Sequence, residues 1–334
     1  MFEAVVTLCA AMADGPCRDA LLPGYEADSL QACETALAAD LAVGDARCQK
    51  AGKALDVTEI APGVFVHLGQ VALPGPENGG DMANMGFVIG TRAVAVIDTG
   101  SAAWMGEALY RAIRARSDLP VAHVILTHMH PDHVLGASVF AGAQVTGHPE
   151  LPRALADRRE TYLRNFERDI GAAAFLGTDT PRIDNAIKSG TLDLGDRVLE
   201  LRAWPTAHTG TDLTVLDRQT GTLFTGDLVF DEHVPTMDGS LRGWQQVLGD
   251  LQAIGAAQVV PGHGGPALDW PDAALPVQRY LDALATDARN AIDAGERLGD
   301  AVGHIGAGEA AQWQLFDDFN PRNATIAFTE LEWE

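Results

Sequence analysis

The chain has 334 residues, 47% of them hydrophobic, enough to bury one large core or one core plus a small appendage. Its formal net charge of −23 would repel a phosphate backbone, which excludes nucleic-acid substrates and favours solubility. No apolar run reaches the length of about 18 residues that a membrane span requires.

In chain order, the block up to Lys53 reads as two helical runs, Phe2 to Ala13 and Ser29 to Ala42, separated by Asp-Gly-Pro and Leu-Pro-Gly turns. Ser29 has the character of an N-cap. All four cysteines, Cys9, Cys17, Cys33 and Cys48, lie here. An even number confined to one short block favours two disulfides and an oxidising compartment, with three pairings open. A zinc knuckle is disfavoured because no Cys-x-x-Cys pair occurs. Met1 to Leu8 carries no basic residue and does not read as a signal peptide, so an exported protein would have lost its signal.

From Val57 the pattern becomes strand-like, with expected strands at Val57 to Leu68, Met85 to Ile89 and Val94 to Asp98. Between the first two, Val71 to Gly80 is too rich in Gly and Pro for regular structure and reads as either a flap or an exposed loop. Helices are expected at Trp104 to Arg116, Pro149 to Ile170, Gly243 to Ile254 and Leu275 to Ile292. Strands return at Val198 to Ala203, and Leu213 to Leu216 pairs with Leu223 to Thr225 as a hairpin. The tail from Trp313 to Trp333 is too rich in large apolar side chains to be disordered and should pack on the body or on another subunit.

The most informative stretch follows the apolar run Val121 to Leu126: His128-Met129-His130-Pro131-Asp132-His133. A strand ending there points His128 and His130 to one side, because side chains alternate with period two. Pro131 forces a turn, and Asp132 and His133 open the next helical segment. Three further ligand-type residues, His208, Asp227 and His263, each follow an apolar run and a turn. Imidazole and carboxylate donors at the carboxyl ends of strands suit a borderline divalent metal such as zinc, though iron or manganese would also be accepted. His67, His123, His148 and His304 show no ligand spacing. His233 and Asp238 lie in the Gly- and Pro-containing segment Asp231 to Ser240, which should leave the metal face and wall a substrate pocket.

The order Asp98 (in Val96-Ile97-Asp98-Thr99-Gly100), the His-x-His-x-Asp-His run, His208, Asp227 and His263 resembles the metallo-β-lactamase superfamily over roughly residues 56 to 270. That resemblance implies a four-layer αβ/βα sandwich, preceded by a small helical, disulfide-stapled appendage. The divisions expected are 1–54 for the appendage, 55–304 for the sandwich and 305–334 for the apolar tail. It assigns His128, His130 and His208 to one metal, Asp132, His133 and His263 to the other, and Asp227 to both. Asp98 would buttress the ligand loops, and Asp132 would orient the attacking hydroxide and relay its proton. Two Zn²⁺ ions would share a bridging hydroxide formed near neutral pH, and the substrate would be a small thioester, ester or lactam.

Every Cys lies before residue 49, which excludes relatives with a Cys at the second metal. The ligand set is closer to glyoxalase II-like thioesterases. The N-terminal cysteines with Leu21-Leu22-Pro23-Gly24-Tyr25-Glu26, the segment Asp238 to Trp244 and the ending Thr329-Glu330-Leu331-Glu332-Trp333 resemble the quinoprotein relay system zinc metallohydrolases. This implies a periplasmic protein working beside a quinoprotein dehydrogenase system. The competing readings are a β-lactamase-type activity, a non-catalytic periplasmic relay or sensor, and a mononuclear iron oxidoreductase.

Overall fold

The computed structural model describes residues 1–11, 14–40 and 44–334. Two sheets stack face to face with helices outside each. The first has seven strands in the spatial order Asn185–Ala186, Gln144–Gly147, Val121–Ile125, Val94–Ile97, Met85–Ile89, Val64–His67, Thr58–Ala61. The second has six, in the order Ser189–Asp193, Val198–Ala203, Leu213–Asp217, Thr222–Phe230, Gln258–His263, Leu268–Asp269.

Strand periodicity explains the layering. Val94 and Val96 pack with Met105, Leu109 and Ile113 of the helix Ala103–Arg114. Their neighbours Ala95 and Ile97 face Leu201, Val215 and Phe224 of the second sheet. Leu223 and Val259 point outward to the helices Leu241–Gln252 and Leu275–Asp293, while Phe224 and Val260 point inward. Such strands are buried on both faces and read as continuous apolar runs, with period two deciding which layer each residue joins. The stretch expected as one strand from Val57 to Leu68 is a hairpin, because Pro62-Gly63 turns the chain with Gly63 at φ +71°.

The N-terminal block corrects the helical reading. Phe2–Cys9 is a strand, antiparallel to both Cys17–Ala27 and Arg47–Lys50. Its β-branched run Val5-Val6-Thr7 favours extended backbone, and a short apolar run cannot by itself separate helix from strand. Met12 and Ala13, the end of that expected helix, and Leu41 and Ala42, the end of the second, lie outside the described residues. Leu30–Ala38 is helical, and the Ser29 hydroxyl accepts from the Ala32 N–H at 3.2 Å.

The pairings that sequence left open are Cys9–Cys17, which closes the hairpin, and Cys33–Cys48, which ties the helix to the third strand. The block docks on the sandwich through charge: Arg111 donates to buried Glu3 at 2.8 and 2.9 Å, and Arg18 to Glu107 at 2.9 Å. Cys33 and Cys48 lie 15 residues apart, so replacing both with Ala is expected to cost about 2–4 kcal/mol. Hydrogen exchange over Phe2 to Lys50 would register this as lost protection, and unchanged protection would contradict it.

The tail turns back as the helix Phe316–Glu332, with Ala327, Phe328 and Leu331 buried against the same core as Leu281 and Leu284. Trp333, at 86% exposed, is left outside. No helix among the described residues is long and apolar enough to cross a membrane.

Candidate metal centre

The ends of the parallel strands of both sheets meet at one edge. Asp98 follows Val94–Ile97 directly, and its backbone is left-handed at φ +57°, a conformation that Asp tolerates better than most residues. His128 and His130 follow Val121–Ile125, His128 in a bend and His130 in extended backbone, and Asp132 and His133 sit in the short helix Pro131–Val134, which starts with Pro. His208 lies in the turn after Val198–Ala203, and His263 is the last residue of Gln258–His263. Asp227 departs from the strand-end expectation: the strand continues from Thr222 to Phe230. Gly226, at φ +50°, breaks the pairing register there and turns Asp227 toward the site, as a bulge does.

These residues converge in two groups, His128, His130, His208 and Asp227 in one and Asp132, His133 and His263 in the other. Asp227 touches both: its Oδ2 lies 3.3 Å from His208 Nε2 and 3.4 Å from His263 Nε2, and its Oδ1 lies 3.1 Å from His133 Nε2. His130 Nδ1 is 3.1 Å from His208 Nε2, and Asp132 Oδ2 is 3.4 Å from His263 Nε2. Bonds of about 2.0–2.2 Å to a tetrahedral ion imply donor separations of about 3.3–3.6 Å, so the spacing fits such an ion. His128 Nε2, His133 Nε2 and Asp227 Oδ1 are buried with no hydrogen-bond partner, a costly state that a bound cation would relieve.

The outer ring nitrogens are tethered. His133 Nδ1 donates to Asp98 Oδ2 at 2.8 Å, His208 Nδ1 to the Thr236 carbonyl at 2.7 Å and His263 Nδ1 to the Met82 carbonyl at 3.0 Å. Each bond puts the proton on Nδ1 and leaves the Nε2 lone pair facing inward. Asp98 also accepts from Thr127 N at 2.8 Å and Thr127 Oγ1 at 2.7 Å, so one carboxylate sets both the ligand turn and the His133 tautomer.

Burial pushes His128 well below its ordinary value, and His133 adds to the shift. Burial likewise takes His208 down to about 3. For His133 and His263, burial is outweighed by Asp227 and Asp132, which raise the first well above its ordinary value and the second to about 9. Burial opposes ionisation of Asp132, yet His133 and His263 hold it at about 2. The carboxylates therefore demand positive charge at the second group, which a divalent cation would supply.

A cavity of about 280 Å³ adjoins the donors and includes both His233 and Asp238 in its lining. The His233 ring is 4.7 Å from that of His263, and burial pushes it down to about 4. Asp238 is not open to solvent as a free carboxylate: Arg158 and Arg322 each donate to it at 2.7 Å, and His130 Nε2 lies at 3.4 Å. Of the other histidines, His67 is in neither donor group and pairs with Asp81 at 2.8 Å, and His148 contacts the Trp204 carbonyl at 3.1 Å.

Sequence reasoning missed Arg158, Tyr162 and Arg322 on the cavity wall. It also missed Asn84, whose side chain donates to the Pro261 and Gly264 carbonyls at 2.9 and 2.8 Å. Tyr162 stands four residues after Arg158 on the helix Leu151–Ile170, a spacing that places them on one face, but nothing local says what that face meets.

A two-sheet sandwich with helices outside carries, at its edge, a two-group His/Asp cluster that is a candidate dimetal site. Residues 78–263 match the family model of the metallo-beta-lactamase superfamily, and the chain belongs to that superfamily. Among solved structures it is similar to a metallo-beta-lactamase from Pontibacter korlensis, with 23% identity and a TM-score of 0.55 over 68% of this chain and 99% of that one. TMB-1 is similar at 21% identity and a TM-score of 0.54, over 69% and 98%. The inverting sec-alkylsulfatase Pisa1 from Pseudomonas sp. gives 15% identity and a TM-score of 0.62, over 82% of this chain and 50% of that one. At these identities the likeness establishes the fold alone. No curated protein sequence matches the chain.

Proposed function

We propose that the protein is a binuclear metal-dependent hydrolase of a small thioester, ester or lactam, with zinc as the resident metal. The observation that carries this reading is the complete donor set in two groups, with buried donor atoms that have no hydrogen-bond partner. Two bound divalent cations would supply hydroxide near neutral pH and polarise a carbonyl.

The chain's own side chains do the rest. Asp132 borders both the cavity and the second donor group, where it orients the attacking water and passes its proton to the leaving group. Asp98 holds His133 in one tautomer. Leu73 and Phe319 on the cavity wall limit the water that reaches the reacting bond.

The proposal includes a periplasmic location, supported by the two disulfides. It also includes kinship with the quinoprotein relay system zinc metallohydrolases, acting beside a quinoprotein dehydrogenase. Two of the segments that carry that likeness touch: the Glu330 carboxylate accepts from Ser240 Oγ at 2.8 Å, Leu241 N at 2.7 Å and Arg242 N at 3.1 Å.

Elemental analysis of protein purified without added metal, with thioester and β-lactam turnover on the same sample, tests the reading. Two zinc ions per chain with thioester turnover is the expected result. A single iron, or two zincs without turnover, favours the redox or the relay reading instead. Asp132→Ala is expected to lower turnover by about 10²–10⁴-fold while the circular dichroism spectrum holds. Unchanged turnover would remove Asp132 from the mechanism.

A further inference from the structure

The cavity beside the donors has a cationic end and an apolar wall. Arg158 Nη1 and Arg322 Nη2 bind different oxygens of Asp238, both at 2.7 Å. Two guanidiniums against one carboxylate leave one positive charge uncompensated, and each guanidinium keeps further N–H donors. Both side chains line the cavity, and they remain 41% and 58% exposed, so their charge is available to a ligand. The Tyr162 hydroxyl lines the same cavity, buried and beside the Arg158 guanidinium, with which it interacts. A phenol that accepts from a guanidinium still has its own O–H to donate. Leu73, Phe166, Leu315 and Phe319 supply the apolar wall. Phe319 and Arg322 are three residues apart on the helix Phe316–Glu332, so one helix face contributes both wall and charge.

We propose that Arg158, Arg322 and Tyr162 form an oxyanion-binding subsite, selecting substrates that carry a single anionic oxy group on a short apolar body. The group recognised is a monoanion such as a carboxylate or sulfonate, because the uncompensated charge is one. Asp238 is a positioning residue: it fixes the two guanidiniums one side chain away from His130, so the anion is held close to the centre without displacing a donor. The word substrate here rests on the hydrolase reading, whereas the subsite itself is a statement about binding.

Calorimetric titration of the metal-loaded full chain tests it. One probe is 3-phenylpropane-1-sulfonate, an anion that ligates metals weakly; the other is the neutral methyl sulfone of the same shape. The sulfonate is expected to bind at least about ten-fold more tightly than the sulfone, since hydrogen bonds to a charged group are the strong ones. Arg322→Gln and, separately, Arg158→Gln are expected to bring that ratio below about three-fold, and Arg322→Lys to restore part of it. Tyr162→Phe should lower the ratio less. Equal binding of the two probes, no binding of the sulfonate, or a ratio that survives both Gln variants would overturn the proposal. Hydrolysis is scored separately. Turnover without sulfonate preference removes the subsite and keeps the hydrolase reading; sulfonate preference without turnover does the reverse.

Discussion

Gly262→Ala is expected to empty at least one metal position and to lower turnover by on the order of 10²-fold or more. A Cβ at residue 262 would stand 1.9 Å from Asp227 Oδ1 and 2.8 Å from the Gly226 carbonyl carbon. The backbone cannot retreat, because Asn84 N donates to the Gly262 carbonyl at 2.8 Å and the Asn84 side chain holds the carbonyls of Pro261 and Gly264. The Asp227 carboxylate must therefore move, and it is the one donor that reaches both groups. Metal content per chain checks this directly. Two metals retained with turnover within about three-fold of the parent would show that Asp227 does not bridge.

Asp217→Ala is expected to destabilise the fold by about 3–5 kcal/mol, the cost of stranding a buried charge. Arg197 is 5% exposed and binds Asp217 at 3.1 and 2.6 Å through two nitrogens. Its third nitrogen donates to the carbonyls of Pro62 and Ile89 at 2.9 and 3.0 Å, so this guanidinium joins the second sheet to the edge of the first. Removing the carboxylate also frees the turn that follows, where Thr220 and Gln219 donate to it. The thermal midpoint should fall by roughly 4–7 °C. A midpoint within about 2 °C of the parent would mean that the ion pair contributes no more than an exposed one does.

The His-x-His-x-Asp-His run was legible because six consecutive residues cannot scatter far: a strand end followed by a Pro-initiated turn brings four donors to one place. The remote donors His208 and His263 were legible for a related reason, since apolar runs that end in turns mark strand ends. Asp227 was singled out as a donor, but the extension of its strand to Phe230 was not visible. An isolated Gly within a strand pattern does signal a bulge, and Gly226 was the clue. The first strand was misread because an eight-residue apolar run is ambiguous in isolation, and only pairing on both edges decides it.

By itself, then, the sequence determined what short range can encode: the layered α/β class through apolar periodicity and the donor types through local spacing. The tertiary structure decided which distant residues meet. Asp238 and Arg322 are 84 positions apart and Arg158 and Asp238 are 80 apart, and each pair is joined by a single hydrogen-bonded contact. The disulfide pairing and the docking of the tail beside the centre belong to the same category. The physical reason is that such contacts carry no periodic or adjacent signature; they exist only after the core has packed and fixed which surfaces face each other.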